Sequence, residues 1–149
     1  MVMIEIQNLS KTFKTADGTV DALKNITLTV NDGDIYGIIG MSGAGKSTLM
    51  SILTGNLRQT AGEIGFNGAE FRSLGAAFRG RVGYMPQQQT LYPGFTAERF
   101  LLYMASLRRM PRARALERID WALGAVGLSV VGGKTIRSLT GGMKERLLL

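Results

Sequence analysis

Cysteine and histidine are both absent from the 149-residue sequence. Without cysteine the chain has no disulfide framework and no thiolate metal site. Without histidine these residues contain no imidazole that could act as a base, a metal ligand or a phosphate sensor. Any chemistry that this chain carries therefore depends on other side chains and on the backbone.

Long apolar runs are absent as well. The longest stretches, residues 100–105 and 147–149, are far shorter than the roughly 20 residues that cross a bilayer. The chain passes directly from Met1 into the alternating segment Ile4-Glu5-Ile6, without the basic start and apolar core of a secretory signal. We expect a cytosolic protein of at most one globular domain, in which 45% of the residues are hydrophobic and 19% are charged.

Acidic residues are few, with 11 against 18 basic ones and a net charge of +7. This excess attracts polyanions of any kind, including nucleotides, nucleic acid and anionic lipid. Part of it lies in five arginines that would scatter over several faces of a helix, namely Arg108, Arg109, Arg112, Arg114 and Arg118. A solvated surface is the favoured interpretation of this run, and a polyanion site is the alternative.

The first half of the chain has the apolar patterning of β-strands. Residues 4–6 and 26–30 alternate between apolar and polar, and a turn at residues 16–18 separates them, which predicts a half-buried antiparallel sheet. Residues 35–39 are almost continuously apolar and predict a strand covered on both faces within an α/β sheet. Two further short strands are predicted, at residues 63–66 and 82–85.

Helical patterns alternate with and follow these strands. A helix is predicted from Lys46 to Thr54, with Gly55 in the position of a C-terminal cap. Two more helices are predicted at residues 96–107 and 111–126 and form a helical block after the sheet. The second has an apolar face at spacings of three and four residues, formed by Leu116, Ile119, Leu123 and Val126.

A phosphate-binding loop stands between the predicted strand at 35–39 and the helix that follows it. The pattern of glycine, four residues, glycine, lysine and a hydroxyl residue is present as Gly40-Met41-Ser42-Gly43-Ala44-Gly45-Lys46-Ser47. Glycines let such a loop curl so that successive backbone N–H groups point at a phosphate, and the helix N-terminus adds partial positive charge. The alternative is a glycine-rich turn with an incidental lysine.

Each residue of this loop has a predicted role in binding a nucleoside triphosphate. Lys46 would reach the β- and γ-phosphates, the hydroxyl of Ser47 would coordinate Mg²⁺, and the N–H of Thr48 would assist. The complete set of predicted ligands in the loop is Gly40, Met41, Ser42, Gly43, Ala44, Gly45, Lys46, Ser47 and Thr48. GTPases, kinases, helicases and transport ATPases all use such a loop, so it does not identify the family.

The segment Leu139-Thr140-Gly141-Gly142-Met143-Lys144-Glu145-Arg146 resembles the LSGGQ signature of the ATP-binding cassette (ABC) proteins. In that family the motif opens a helix whose N–H groups meet the γ-phosphate held by a second subunit, so Thr140, Gly141 and Gly142 are implied to bind ATP. Thr140 stands where the family has serine, and Met143 stands where it has glutamine. The alternative for these residues alone is a glycine turn before an ordinary helix.

Two further segments are similar to motifs of the same family. Gly83-Tyr84-Met85-Pro86-Gln87 resembles the Q-loop, which implies that Gln87 contacts Mg²⁺ and the attacking water. Asn8-Leu9-Ser10-Lys11-Thr12-Phe13 resembles the stretch whose aromatic residue stacks on adenine, a role that would fall to Phe13. A buried core phenylalanine is the alternative.

The resemblance covers all 149 residues and implies an α/β P-loop NTPase fold with an antiparallel β subdomain and a helical subdomain. We expect one nucleotide-binding domain, with a β and P-loop part at 1–87, a helical part at 88–139 and the start of the signature helix at 140–149. The implied function is Mg-ATP hydrolysis, with Lys46 and Gln87 as catalytic residues and Ser47 and Gln87 at the metal. The implied partners are transmembrane permease subunits and a second ATP-binding subunit at the cytoplasmic face of the membrane.

Some of the family's machinery has no counterpart in this sequence. The strand with a Mg²⁺-binding aspartate, the catalytic glutamate and the histidine that senses γ-phosphate would follow the signature helix, so we expect a truncated domain that is inactive alone. Its absent strands would leave residues 35–39 open to solvent. Alternatives are a soluble ABC ATPase that acts on nucleic acid or ribosomes, although nucleic acid is not the expected partner, and a fragment that binds nucleotide without hydrolysing it.

The subfamily signals conflict. Residues 21–50, notably Ile35-Tyr36-Gly37-Ile38-Ile39-Gly40, look like methionine importers. Residues 91–96 and 141–144 look like multidrug and antibiotic exporters. Because these last segments would lie near the surface that contacts the membrane subunits, we expect an exporter.

Overall fold

The chain forms two compact units, each with its own hydrophobic core. The computed structural model describes residues 2–86 and 91–149. The units are Met1–Tyr84, which contains the sheet, and Met85–Leu149, which is helical.

A long hairpin dominates the first unit. Strand β1 (Val2–Thr15) pairs antiparallel with β2 (Gly18–Asn31) across a two-residue turn. Strand β3 (Ala61–Phe66) pairs with the other side of β1, and β4 (Ala69–Glu70) completes the order β2-β1-β3-β4. The predicted antiparallel sheet and the strand at 63–66 are therefore confirmed. The buried core of the first unit consists of Ile6, Leu9, Leu23, Leu49, Ile52, Ile64, Phe71 and Phe78.

Helix α1 (Lys46–Leu53) packs Leu49 and Ile52 into this core, and it ends as predicted. Gly55 adopts φ +78° and donates its N–H to Ile52 O at 3.0 Å, while Asn56 N donates to Ser51 O at 2.9 Å. This Schellman arrangement satisfies carbonyls that the helix end would otherwise leave without partners. A short helix, α2 (Gly75–Arg79), follows the sheet.

Two predicted strands are absent. Residues 35–39 lie outside any strand, and Ile35 and Ile39 are fully exposed. A strand needs a neighbour to accept and donate its ladder hydrogen bonds, and no described residue pairs with this segment. The exposure itself agrees with the expectation that its apolar side chains are open to solvent. Residues 82–85 are likewise not a strand, although Val82 packs against the first core.

The second unit is built on three helices, α3 (Ala97–Leu107), α4 (Arg112–Ala125) and α5 (Gly141–Leu148), with 3-10 turns at Ser129–Val131 and Ile136–Ser138. The helices predicted at 96–107 and 111–126 are confirmed. Thr96 caps α3 by accepting a hydrogen bond from Arg99 N at 3.1 Å. No helix in the described ranges is both long and apolar enough to span a membrane.

A short antiparallel bridge fixes the segment that leads into α5. Thr96 pairs with Thr135, and Ile136 N donates to Phe95 O at 2.8 Å. Arg137 N donates to Pro93 O at 3.1 Å on the same side. The start of α3 and the approach to the signature segment therefore form one hydrogen-bonded piece of backbone.

The apolar face of α4 differs from the predicted one at Leu116. Ala115, Ile119 and Leu123 are buried, whereas Leu116 is half exposed at the mouth of a 440 Å³ cavity between α3 and α4. The predicted spacing was correct for Ile119, Leu123 and the partly buried Val126. Ala115, and not Leu116, therefore belongs to the buried face of α4.

The two environments of isoleucine give a stability test. In the 149-residue chain, Ile6→Ala should lower the free energy of unfolding by about 2–5 kcal/mol, because Ile6 is fully buried. Ile35→Ala should change it by less than about 0.5 kcal/mol, because Ile35 lies in solvent. Urea unfolding of both variants checks this, and an equal loss for Ile35→Ala would contradict the exposed position of residues 35–39.

Candidate functional site

The glycine-rich loop is tightly curled. Gly43 and Gly45 adopt φ +82° and +86°, a region that glycine enters without strain. Ala44 N donates to Met41 O at 3.2 Å and closes the curve. The predicted reason for glycine at positions 43 and 45 therefore has a direct counterpart in the backbone, and residues 40–44 are exposed to solvent.

Gly45 lies directly on strand β2. A Cβ atom at this position would overlap the carbonyl oxygen of Ala22 and come within 2.8 Å of Leu23 Cδ2. The loop is thereby held against the sheet where α1 begins. Sequence reasoning missed Ala22 and Leu23, and nothing in their residue types indicates this contact.

The ammonium group of Lys46 turns back over the loop. Its Nζ donates hydrogen bonds of 2.6 Å to the carbonyl oxygens of Gly40 and of Met41. An ammonium group has three donors, so one remains after these two bonds. The lysine thus crosses the mouth of the curve and places a positive charge beside the exposed loop.

The start of α1 adds to this positive potential. The first hydrogen bond within the helix runs from Leu49 N to Gly45 O at 2.9 Å, so the N–H groups of Lys46, Ser47 and Thr48 have no acceptor inside the helix. No acidic residue stands in the first turn, and Gly45 provides no side-chain cap. The combination of free amides, the helix dipole and one ammonium favours an anion at this point.

Behind the loop a 280 Å³ cavity separates the segment before it from the sheet. Leu23, Ile26 and Leu28 of β2 form one wall, and residues 36–39 form the other together with Ala44, Gly45, Lys46 and Leu49. The walls are largely apolar. The loop is therefore anchored through Gly45 and α1, while the segment that enters it packs loosely.

Phe13 lies on β1 with 37% of its surface exposed. The alternative of a core phenylalanine is therefore wrong. Its ring has Lys11 Nζ 4.9 Å from the centroid and faces Val20 across the hairpin. Val20 is two residues from Ala22, the residue under the loop, which corresponds to about 7 Å along β2. The aromatic ring thus lies on the strand that neighbours the loop's support.

Asp21 is the carboxylate next to this support. Thr12 Oγ1 donates to Asp21 Oδ1 at 2.8 Å, and Lys24 Nζ lies 3.5 Å from Asp21 Oδ2. The hydrogen bond from Thr12, with a smaller contribution from Lys24, holds the pKa of Asp21 below its ordinary value. Thr12 and Lys24 therefore favour the ionised form of this carboxylate.

The signature segment forms the predicted helix N-terminus. Thr140 Oγ1 accepts a hydrogen bond from Met143 N at 3.3 Å, and α5 begins at Gly141. This bond explains why threonine can replace serine, since only the hydroxyl is used. Met143 packs against the core of the second unit, so an apolar side chain suits this position.

The predicted residues fall into separate places. Residues 40–48 form one continuous segment in the first unit, with Phe13 on the adjacent hairpin, and residues 140–142 lie in the second unit. Gln87, predicted to contact Mg²⁺ and water, lies outside the described residues. The described residues contain no group of three or more carboxylate-type metal ligands.

A family model for ABC transporters matches residues 23–149. The chain belongs to this family. The match covers both the loop and the signature segment.

Several ABC proteins are similar over almost the whole chain. "Methionine import ATP-binding protein MetN 2" of Bacillus cereus is 36% identical and its match covers 97% of this chain and 44% of that protein. The MetN protein of Symbiobacterium thermophilum is 37% identical, with 97% and 45% covered. The chain therefore spans less than half the length of these curated relatives.

Solved structures of ABC proteins are also similar to this chain. CbiO1 from Clostridium perfringens, described as part of the ABC transporter complex cbiONQ, is 26% identical with a TM-score of 0.82, covering 99% of this chain and 59% of that one. A dimeric ATP-binding cassette in a post-hydrolysis state, bound to ADP and Pi, is 25% identical with a TM-score of 0.81, covering 98% and 67%. The expected fold class is confirmed by these ABC structures.

The expectation of an exporter receives no support from these ABC relatives. The named sequence relatives are methionine import proteins. Residues 91–96 and 141–144, on which that expectation was based, did not indicate the subfamily of these relatives.

Alanine substitutions at two glycines of the loop distinguish the cost of backbone strain from the cost of steric overlap. Gly43→Ala should cost about 1–2 kcal/mol of unfolding free energy, because its φ is positive but no atom lies within 4 Å of the added Cβ. Gly45→Ala adds the overlap with Ala22 and Leu23 and should cost at least about 2 kcal/mol more. Urea unfolding measures both, and equal losses would show that Gly45 does not touch β2.

Proposed function

We propose that this chain is the nucleotide-binding part of the ATP-binding subunit of an ABC transporter. The observation that carries the proposal is the ammonium of Lys46, held inside the curled loop by two carbonyl oxygens and next to the uncapped start of α1. Residues 40–48 would surround the β- and γ-phosphates of ATP with amides, and the third donor of Lys46 would reach a phosphate oxygen.

Mg²⁺ fits the donors that this site offers. Ser47 is exposed at the second position of α1 and supplies a hard oxygen ligand, which is the type that Mg²⁺ prefers. The ion, when bound, neutralises charge on the phosphates. Ser47 and, from outside the described residues, Gln87 are the side chains proposed to hold it, with nucleotide oxygens as the remaining support.

Phe13 is proposed to stack on the adenine ring. It is exposed, it lies near the strand that supports the loop, and a π-face is all that stacking requires. Lys11, placed over the ring, leaves the other face for the base.

Thr140, Gly141 and Gly142 are proposed to contact the γ-phosphate of a nucleotide held by a second subunit. Their place at the start of α5 provides free amides and the positive end of a helix dipole. The dimeric cassette bound to ADP and Pi supports an arrangement of two subunits. ATP would then lie between the loop of one subunit and the signature segment of the other.

The proposed subunit works at the cytoplasmic face of a membrane with permease subunits, and it couples ATP hydrolysis to movement of a solute. Lys46 and Gln87 are the residues of this chain proposed to take part in hydrolysis. The similarity to methionine import proteins favours import over export. Membership of an ABC transporter complex in the case of CbiO1 supports permease partners over nucleic acid or ribosomes.

Removal of the ammonium tests the phosphate site. Lys46→Ala should weaken binding of a non-hydrolysable ATP analogue by about 100-fold or more, because a charge-assisted contact to phosphate is lost. Lys14→Ala, which removes an exposed charge from β1, should leave binding unchanged. Calorimetry at fixed ionic strength measures both, and undiminished binding by a folded Lys46→Ala protein would refute the proposal.

The adenine contact has a separate readout. Phe13→Ala should weaken ATP binding by about tenfold and leave inorganic tripolyphosphate binding unchanged, because only the base stacks on the ring. Phe13→Tyr should retain affinity, and Val20→Ala, on the exposed residue opposite, serves as the control. Equal losses for ATP and tripolyphosphate would place Phe13 outside the base-binding site.

A further inference from the structure

Two carbonyls at the end of helix α4, those of Ala125 and Val126, accept none of the backbone hydrogen bonds that close this end. Leu128 N donates to Leu123 O at 2.7 Å and Gly127 N to Gly124 O at 3.1 Å, a Schellman arrangement with Gly127 at φ +66°. Of these two carbonyls, that of Val126, the C-cap residue, accepts a hydrogen bond from a side chain.

That donor comes from the signature helix. Arg146 Nη1 donates to Val126 O at 2.9 Å across 20 residues of sequence. A positive guanidinium at the C-terminal end of α4 also lies in the favourable direction of the helix dipole. A Cβ at residue 127 would be only 3.2 Å from Arg146 Nη1, so glycine there provides both the turn and the room for the arginine.

Arg146 adds a second contact that fixes the orientation of α5, beside the packing of its apolar face. Leu147 is buried and Met143, one turn earlier, is partly buried, so together they decide which side of the helix faces the core. Arg146 lies one turn after Gly142 on a neighbouring side. Because α5 has only 8 residues and is about 12 Å long, a rotation at Arg146 moves the amides at its start.

We propose that Arg146 is a positioning residue that ties α5 to the end of α4 and thereby aims the amides of Gly141 and Gly142. The consequence for a bound nucleotide rests on the proposed function of the signature segment. The hydrogen bond from Arg146 to Val126 does not rest on that function, because it is a contact within the second unit.

Two measurements on the full-length protein test the proposal. Amide chemical shifts of Gly141 and Gly142 report their orientation without nucleotide, and sedimentation velocity reports ATP-dependent association. Arg146→Ala should shift both amide signals and weaken association by about tenfold, while the ATP affinity of the loop stays within about twofold. Arg146→Lys should restore most of both effects, since an ammonium can donate to the same carbonyl.

The control is Arg114→Ala, which removes an equal charge from an exposed position of α4 and should change neither measurement. In a double-mutant cycle, the effects of Gly127→Ala and Arg146→Ala on these two measurements should be non-additive. The Cβ added at residue 127 disturbs Arg146 only when the arginine is present.

The outcomes separate the two proposals. Unchanged glycine shifts in Arg146→Ala, or a lysine variant no better than alanine, would overturn the positioning role. If the glycine shifts change as expected but the protein neither binds ATP nor self-associates when ATP is added, the positioning role of Arg146 stands and the proposed function is refuted.

Discussion

The geometry of the proposed nucleotide site depends on a steric constraint at Gly45. Its α-carbon lies so close to the Ala22 carbonyl that no side chain fits, and its positive φ turns the chain directly into α1. Lys46, the next residue, can then turn back to the carbonyls of Gly40 and Met41. One close contact with β2 therefore positions the loop, the ammonium and the helix N-terminus together.

The two units solve the problem of helix ends in similar ways. Helices α1 and α4 both end at a glycine with positive φ that returns N–H groups to the last turn. Helices α3 and α5 both begin at a threonine whose hydroxyl accepts from the third residue beyond it. At the end of α4 a side chain adds to these backbone bonds, because Arg146 donates to the carbonyl of Val126 and so connects the signature helix to its neighbour.

The charged side chains of the two units have different neighbours. At the loop, Lys46 and the start of α1 meet no acid in the first turn, and Asp21 nearby is engaged by Thr12 and Lys24. Arg118, from the arginine run, lies over the exposed ring of Trp121, with its guanidinium carbon 4.4 Å from the centroid. The net charge of +7 alone did not distinguish these places, since it sums charges that have different neighbours.

The sequence by itself determined the family motifs and part of the local structure around them: the curl that Gly43 and Gly45 permit, the cap at Gly55, and the helices at residues 46–54, 96–107 and 111–126. Each depends on contacts within about six residues, which spacing and residue type record. Only the tertiary structure decided that residues 35–39 and 82–85 are not strands, that Ala115 replaces Leu116 in the core, that Ala22 supports the loop, and that Arg146 reaches Val126. Those outcomes depend on partners distant in the chain, and no local pattern encodes which partner is present or on which side it lies.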